Sequence, residues 1–170
     1  YLGRVVNLTI LTALSALTTQ QAAPIEYTSK RAQQLLDYLA TNEEAVLIYR
    51  ASCMIMAVHS NASYLSKRLS RSRVGGHFFL SRDDPILPNN GTILAIAQVI
   101  KTCMTSVAET KLGGLYINAR KAIYIRQILQ EMGHLQPCTP IQTDNSTADG
   151  IINNKILPRQ QKRWTCASII

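Results

Sequence analysis

Apolar positions in the first 44 residues recur at helical intervals. Leu8, Leu11, Leu14, Ala16 and Leu17 follow that spacing and predict a short helix that ends before Pro24. Thr28 or Ser29 is placed to cap a second helix, with Ala32, Leu35, Leu36 and Leu39 on one face and Lys30, Arg31, Gln33 and Gln34 exposed. From Ala45 the pattern changes to short runs rich in β-branched, Met and aromatic residues: AVLIYRA at 45–51, MIMAVHSNASY at 54–64, GGHFFLS at 75–81 and ILAIAQVI at 93–100. These runs predict strands of one sheet. Turn-rich stretches connect them, SKRLSRSR at 66–73 and RDDPILPNNG at 82–91, with Asn90-Gly91 the sharpest turn signal. Residues 104–132 contain no Pro and repeat apolar side chains at 112, 115, 116, 119, 122, 123, 125, 128 and 129, which predicts a long amphipathic helix, or two abutting ones, closed by Gly133. PIQTD at 140–144 then predicts a short strand, and Asn145 opens a further short helix. Strands, helix, strand, helix is the order of an α/β (α+β) domain, a mixed sheet with helices packed on it.

Length and composition narrow this picture. A chain of 170 residues suits one domain with a short extra segment. Only two Phe and one Trp accompany a hydrophobic content of 46%, so the core is expected to consist mainly of Ile, Leu, Val, Met and Ala. Eighteen Lys and Arg against ten Asp and Glu give +8, a balance that favours polyanions and makes nucleic acid the natural partner. Cys53, Cys103, Cys138 and Cys166 form no Cys-x-x-Cys pair and read as reduced, partly buried thiols, not as a zinc or redox site. Asn-x-Ser/Thr sequons at Asn7, Asn61, Asn90 and Asn145 come with nothing resembling a secretory signal, so an intracellular protein is expected. The apolar runs are interrupted well before the roughly 20 residues that span a bilayer, and no membrane segment is expected.

Four blocks carry a resemblance to a known family: AVHSNASYL, GGHFFLS, SVAETKLGGLYINARKAIYIRQILQEMG and TPIQTDNSTADGIINNKILPR. In this order they resemble the RNase H domain of a copia-type retrotransposon Gag-Pol polyprotein, over residues 45–162. The resemblance implies an RNase H-like domain over 45–170, with a truncated C-terminal part, after a connecting helical segment at 1–44 that follows the reverse transcriptase core. It also implies an ancestral endonuclease acting on the RNA strand of RNA–DNA hybrids, and the reverse transcriptase part of the same polyprotein as a partner. The setting would be the cytoplasm, a virus-like particle or the nucleus.

Such chemistry has a physical requirement. Two Mg²⁺ ions held about 3.5–4 Å apart need several converging carboxylates, both as hard ligands and to offset the mutual repulsion of the ions. The family pattern supplies four acids. Here the first is replaced by Asn61, the second by Lys111 and the fourth by Thr165, while the third stands as Asp144. Glu109, two residues before Lys111, is the other acid of its block, which leaves Asp144 and Glu109 as the candidate metal ligands. Thr165 belongs to a tail that departs from the pattern. The family's Ala-Met-Asp-Met-Arg-Phe-His, written in one of its possible codon sets as GCG ATG GAC ATG CGC TTC CAT T and read one base out of frame, becomes the RWTCASI found at 163–169. A frameshift before Arg163 is therefore expected to have removed the last acid and ended the domain early. The resemblance thus implies an impaired enzyme.

Plainer roles compete for each of these residues. Asp144 can cap the following helix, and Glu109 can be a solvated helix acid. His59, His77 and His134, lacking clustered partners, read as structural, and Tyr116 and Tyr124 as packing. Lys67, Arg68, Arg71 and Arg73 form a basic loop that is either a solvated turn or a contact for nucleic-acid phosphates. Two other functions stay open: slow cleavage with one metal held by Glu109, Asp144 and Asn61, or a non-catalytic module that binds nucleic acid or a protein partner.

Overall fold

The computed structural model describes residues 2–67, 70–84 and 88–155. The predicted N-terminal helix is α1 at Leu11–Thr18, entered through a 3₁₀ turn at Leu8–Ile10 and separated by a break at residue 7 from a π-type turn at Leu2–Val6. Asn7 causes the break, because its side chain accepts from the backbone N–H of Thr9 and restarts the chain there. Helix α2 spans Glu26–Thr41. Thr28 lies inside it, where its Oγ1 accepts from the N–H of Ile25 and donates to Gln20 Oε1.

The expected strand at 45–51 does not form. Both backbone groups of Arg50 are taken by one side chain, with Arg50 N–H donating to Asn90 Oδ1 at 2.7 Å and Asn90 Nδ2 donating to the Arg50 carbonyl at 3.0 Å. The Tyr49 ring covers Gly91, where an added Cβ would lie 2.6 Å from it. Asn90-Gly91 is therefore a dock for the preceding segment as well as a loop end, and this bonding replaces a strand partner.

The sheet contains β1 (Ile55–Lys67), β2 (Arg71–Ser81), β3 (Thr92–Val99) and β4 (Ile141–Thr143) in the order β3-β2-β1-β4. β1, β2 and β3 form an antiparallel meander, and β4 runs parallel to β1. Helix α3 (Val107–Glu131) crosses between β3 and β4, and α4 (Ser146–Ile152) follows β4. The α+β class read from the pattern is correct.

Pleating sorts the side chains. Met56 and Val58 of β1, Val74 and Phe78 of β2 and Ile96 of β3 face α3 and pack with its Ala122 and Leu129. Phe78 and Phe79 are both fully buried, so the two phenylalanines are spent on the interior. α3 approaches the sheet closely at Gly114, where a Cβ would lie 3.0 Å from that of Ala62. Four residues on, buried Asn118 donates to Ser60 Oγ at 2.7 Å and to the Gly75 carbonyl at 3.0 Å, tying helix to sheet. A Schellman motif closes α3: Gly133, at φ +89, donates to the Gln130 carbonyl and His134 to that of Leu129.

Candidate functional site

β4 pairs with β1 only as far as Ser60 opposite Thr143. Beyond that point the two chains diverge, leaving an opening bounded by Asn61 on one side and Asp144 on the other. Helix α3 supplies the third wall. Lys111 shares the helical phase of Leu115, Asn118, Ala122 and Leu129, all buried toward the sheet, so its stem lies along the sheet and its side chain is only 11% exposed. Its ammonium fills the opening, donating at 2.6 Å to Asn61 Oδ1 and at 2.6 Å to Asp144 Oδ1. Asp144 keeps its side chain 59% exposed.

Three residues singled out in the sequence, Asn61, Lys111 and Asp144, are therefore brought to one point from β1, α3 and the end of β4. Asp144 is free for this role because Asn145, not Asp144, caps α4, accepting from the N–H of Ala148 at 2.7 Å. Glu109 is not brought there. At two residues' distance it points about 200° away around the helix, and its Oε2 accepts at 2.6 Å from both the N–H and the hydroxyl of Thr105. Those bonds, the hydroxyl's first, hold the Glu109 carboxyl below its ordinary range. Ser106 Oγ accepts from the N–H of Glu109 at 3.1 Å, so Ser-x-x-Glu at 106–109 works as a helix start, a signal the sequence contained.

The basic loop is also rearranged. β1 and β2 extend into it, pairing Lys67 with Arg71 and Ser63 with Arg73. Arg71 is exposed, but Arg73 is 7% exposed and donates through Nη2 to Ser15 Oγ of α1, with Nε and Nη1 buried and unpartnered. Burial lowers its pKa. Arg73 is thus covered and does not present a charge to an external phosphate. Arg68 and Thr165 lie outside the described residues, as does the side chain of Lys67.

The donor set does not suit Mg²⁺. One carboxylate and one neutral amide face an ammonium, where a pair of divalent ions needs several anionic oxygens. Among the described residues no group of three or more His, Cys, Asp and Glu converges. The arrangement resembles a charge-assisted clasp: one cation binds β1, α3 and the chain after β4 together. Sequence reasoning missed Asn118 and Ser60, the buried pair that sets the height of α3 over the sheet. The sole hint was a polar residue in phase with an apolar stripe.

Compared with protein-family models, curated proteins and solved structures, the chain gives no match. Among the described residues no helix is long and apolar enough to cross a membrane.

Proposed function

We propose that this chain is a degenerate RNase H-like domain of a copia-type retroelement polyprotein that binds nucleic acid without cutting it. One observation carries this reading: Asn61, Lys111 and Asp144, the positions where the resemblance expects metal-binding acids, meet at one opening, with the Lys111 ammonium 2.6 Å from both partners. The sheet order β3-β2-β1-β4, with β4 parallel to β1 and α3 crossing between, also suits an RNase H-like domain.

In this reading an ancestral carboxylate cluster for two Mg²⁺ ions has become an internal ion pair. The lysine supplies positive charge where the metal stood, but it cannot polarise a phosphate and generate hydroxide together, as paired metals do. Retained affinity would come from the net charge of +8 and would be independent of base sequence.

The test is cleavage of a labelled RNA–DNA hybrid in Mg²⁺ or Mn²⁺ by the parent chain and by Asn61→Asp/Lys111→Glu with the tail restored in frame. Cutting by the repaired chain alone is expected. Cutting by the parent would sink the assignment of lost acids. Binding of the hybrid by the parent is expected without Mg²⁺ and should weaken steeply with salt.

A further inference from the structure

The two histidines of the sheet stand directly opposite each other. His59 of β1 pairs with His77 of β2 in antiparallel register, their ring centroids 5.7 Å apart and their planes at 63°. By the alternation of the strands both project from the face away from α3. Phe79, fully buried, sits against both rings: its centroid is 4.9 Å from His77 in a stacked arrangement and 4.9 Å from His59 edge-on. Both rings therefore pack against one buried neighbour. Each histidine is half-buried and keeps part of its surface in solvent.

Two imidazoles in this relation can share a metal ion. With each nitrogen about 2.1 Å from the ion, each ring centroid is about 3.2 Å away, and a tetrahedral angle sets the centroids about 5.2 Å apart. The observed 5.7 Å exceeds that by an amount that a small side-chain rotation closes. Burial holds both imidazoles below their usual pKa, with the neighbouring His59 adding to the effect at His77.

We propose that His59 and His77 form a two-histidine site for a divalent transition-metal ion, with solvent completing its coordination. The site is independent of the Lys111 clasp and of any nuclease ancestry. Imidazole donors select Cu²⁺ over Ni²⁺ and Zn²⁺ and reject the hard ion Mg²⁺.

The experiment uses the full chain with its thiols blocked by N-ethylmaleimide, since Cys53, Cys103 and Cys138 are exposed and would compete. Substoichiometric Cu²⁺ should broaden the amide resonances of 58–60 and 76–78 before any others, and Zn²⁺ in excess should reverse the broadening. Mg²⁺ should do neither. His59→Gln and His77→Gln should each weaken Zn²⁺ binding about tenfold or more, while His134→Gln leaves it unchanged. Broadening centred on His134, on the chain's N-terminus or spread over the whole chain overturns the proposal, as does unchanged affinity in both single variants. Should either variant fail to fold, the broadening pattern of the parent chain decides alone.

Discussion

Reversing the charge at Lys111 tests the clasp most directly. In the parent chain the ammonium is 2.6 Å from Asp144 Oδ1, on a lysine 11% exposed and an aspartate 59% exposed. Coulomb attraction over about 3 Å ranges from about 1.4 kcal/mol in water to several times that at an effective dielectric of 20. The exposed aspartate places this pair near the watery limit, so about 1 kcal/mol is the realistic contribution. Lys111→Glu removes that attraction and sets a second carboxylate near the first, adding repulsion of similar size. The variant should lose about 2 kcal/mol without divalent ions, which at a urea dependence of about 2 kcal/mol per molar moves the midpoint down by about 1 M.

The same substitution should create a response to Mg²⁺ that the parent lacks. A free concentration ten times the dissociation constant would return about 1.4 kcal/mol, most of the loss. Lys111→Met is the control: it drops the attraction, adds no charge and should cost about 1 kcal/mol or less with no Mg²⁺ response. Urea titrations followed by circular dichroism, with EDTA or with Mg²⁺, read all three chains. If Lys111→Glu melts at the parent's midpoint in EDTA, or if Lys111→Met responds equally to Mg²⁺, the ammonium is not what holds Asn61 and Asp144.

Gly76→Ala would place a Cβ 2.3 Å from Asn118 Oδ1, and because Asn118 is locked to Ser60 and Gly75 the clash should cost about 1–3 kcal/mol in the same urea assay; an unchanged midpoint would mean that α3 is free to lift. Arg73→Met removes a buried guanidinium with two unpartnered nitrogens and should raise stability by about 1 kcal/mol, whereas a loss of that size would show the charge to be satisfied. His59 and His77 titrate below the usual 6.5 in the fold, so the unfolded chain binds more protons as pH falls. The stability they contribute is therefore present above pH 6.5 and is lost as pH drops through it toward the folded values. Thermal melts from pH 7 to pH 5 should fall more steeply for the parent than for His59→Gln/His77→Gln, and equal slopes would refute the shift.

Elements with a strong period and a local terminator were legible in the sequence. The α3 pattern reads correctly because its apolar stripe, Ser106 and Gly133 all agree, and the runs in β2 and β3 because β-branched and aromatic residues sit between clear turn stretches. Residues 45–51 show why the same logic fails elsewhere. Their composition suits a strand, but strand formation requires an edge with free backbone groups, and Asn90 lies forty residues away. Arg71 and Arg73 look like loop residues because of their charge, yet they lie on β2, where pairing with β1 and β3 outweighs the preference of arginine for water. At the site, Asn61, Lys111 and Asp144 were legible as one set through the resemblance, whereas which of Lys111 and Glu109 joins Asn61 and Asp144 is decided only once the face of α3 that meets the sheet is known.

On the proposed reading, that separation of Lys111 from Glu109 explains how a charge reversal at such a place would be tolerated. A carboxylate cluster without metal is a standing repulsion, since each added acid raises the cost of ionising its neighbours, and a fold bears it only while function demands it. A lysine in phase with the buried side of α3 relieves that repulsion from within. Its stem lies along the sheet while its head reaches the polar opening, so the substitution needs no rearrangement of the core beneath it. Asn61 then becomes a better partner than an aspartate would be: one carboxylate already balances the ammonium, and a second would leave an excess negative charge beside Asp144. Asn61→Asp in the otherwise unchanged chain should therefore add little stability, since the extra attraction to Lys111 is offset by repulsion from Asp144. A stability gain of more than about 1 kcal/mol would show instead that the clasp is short of negative charge.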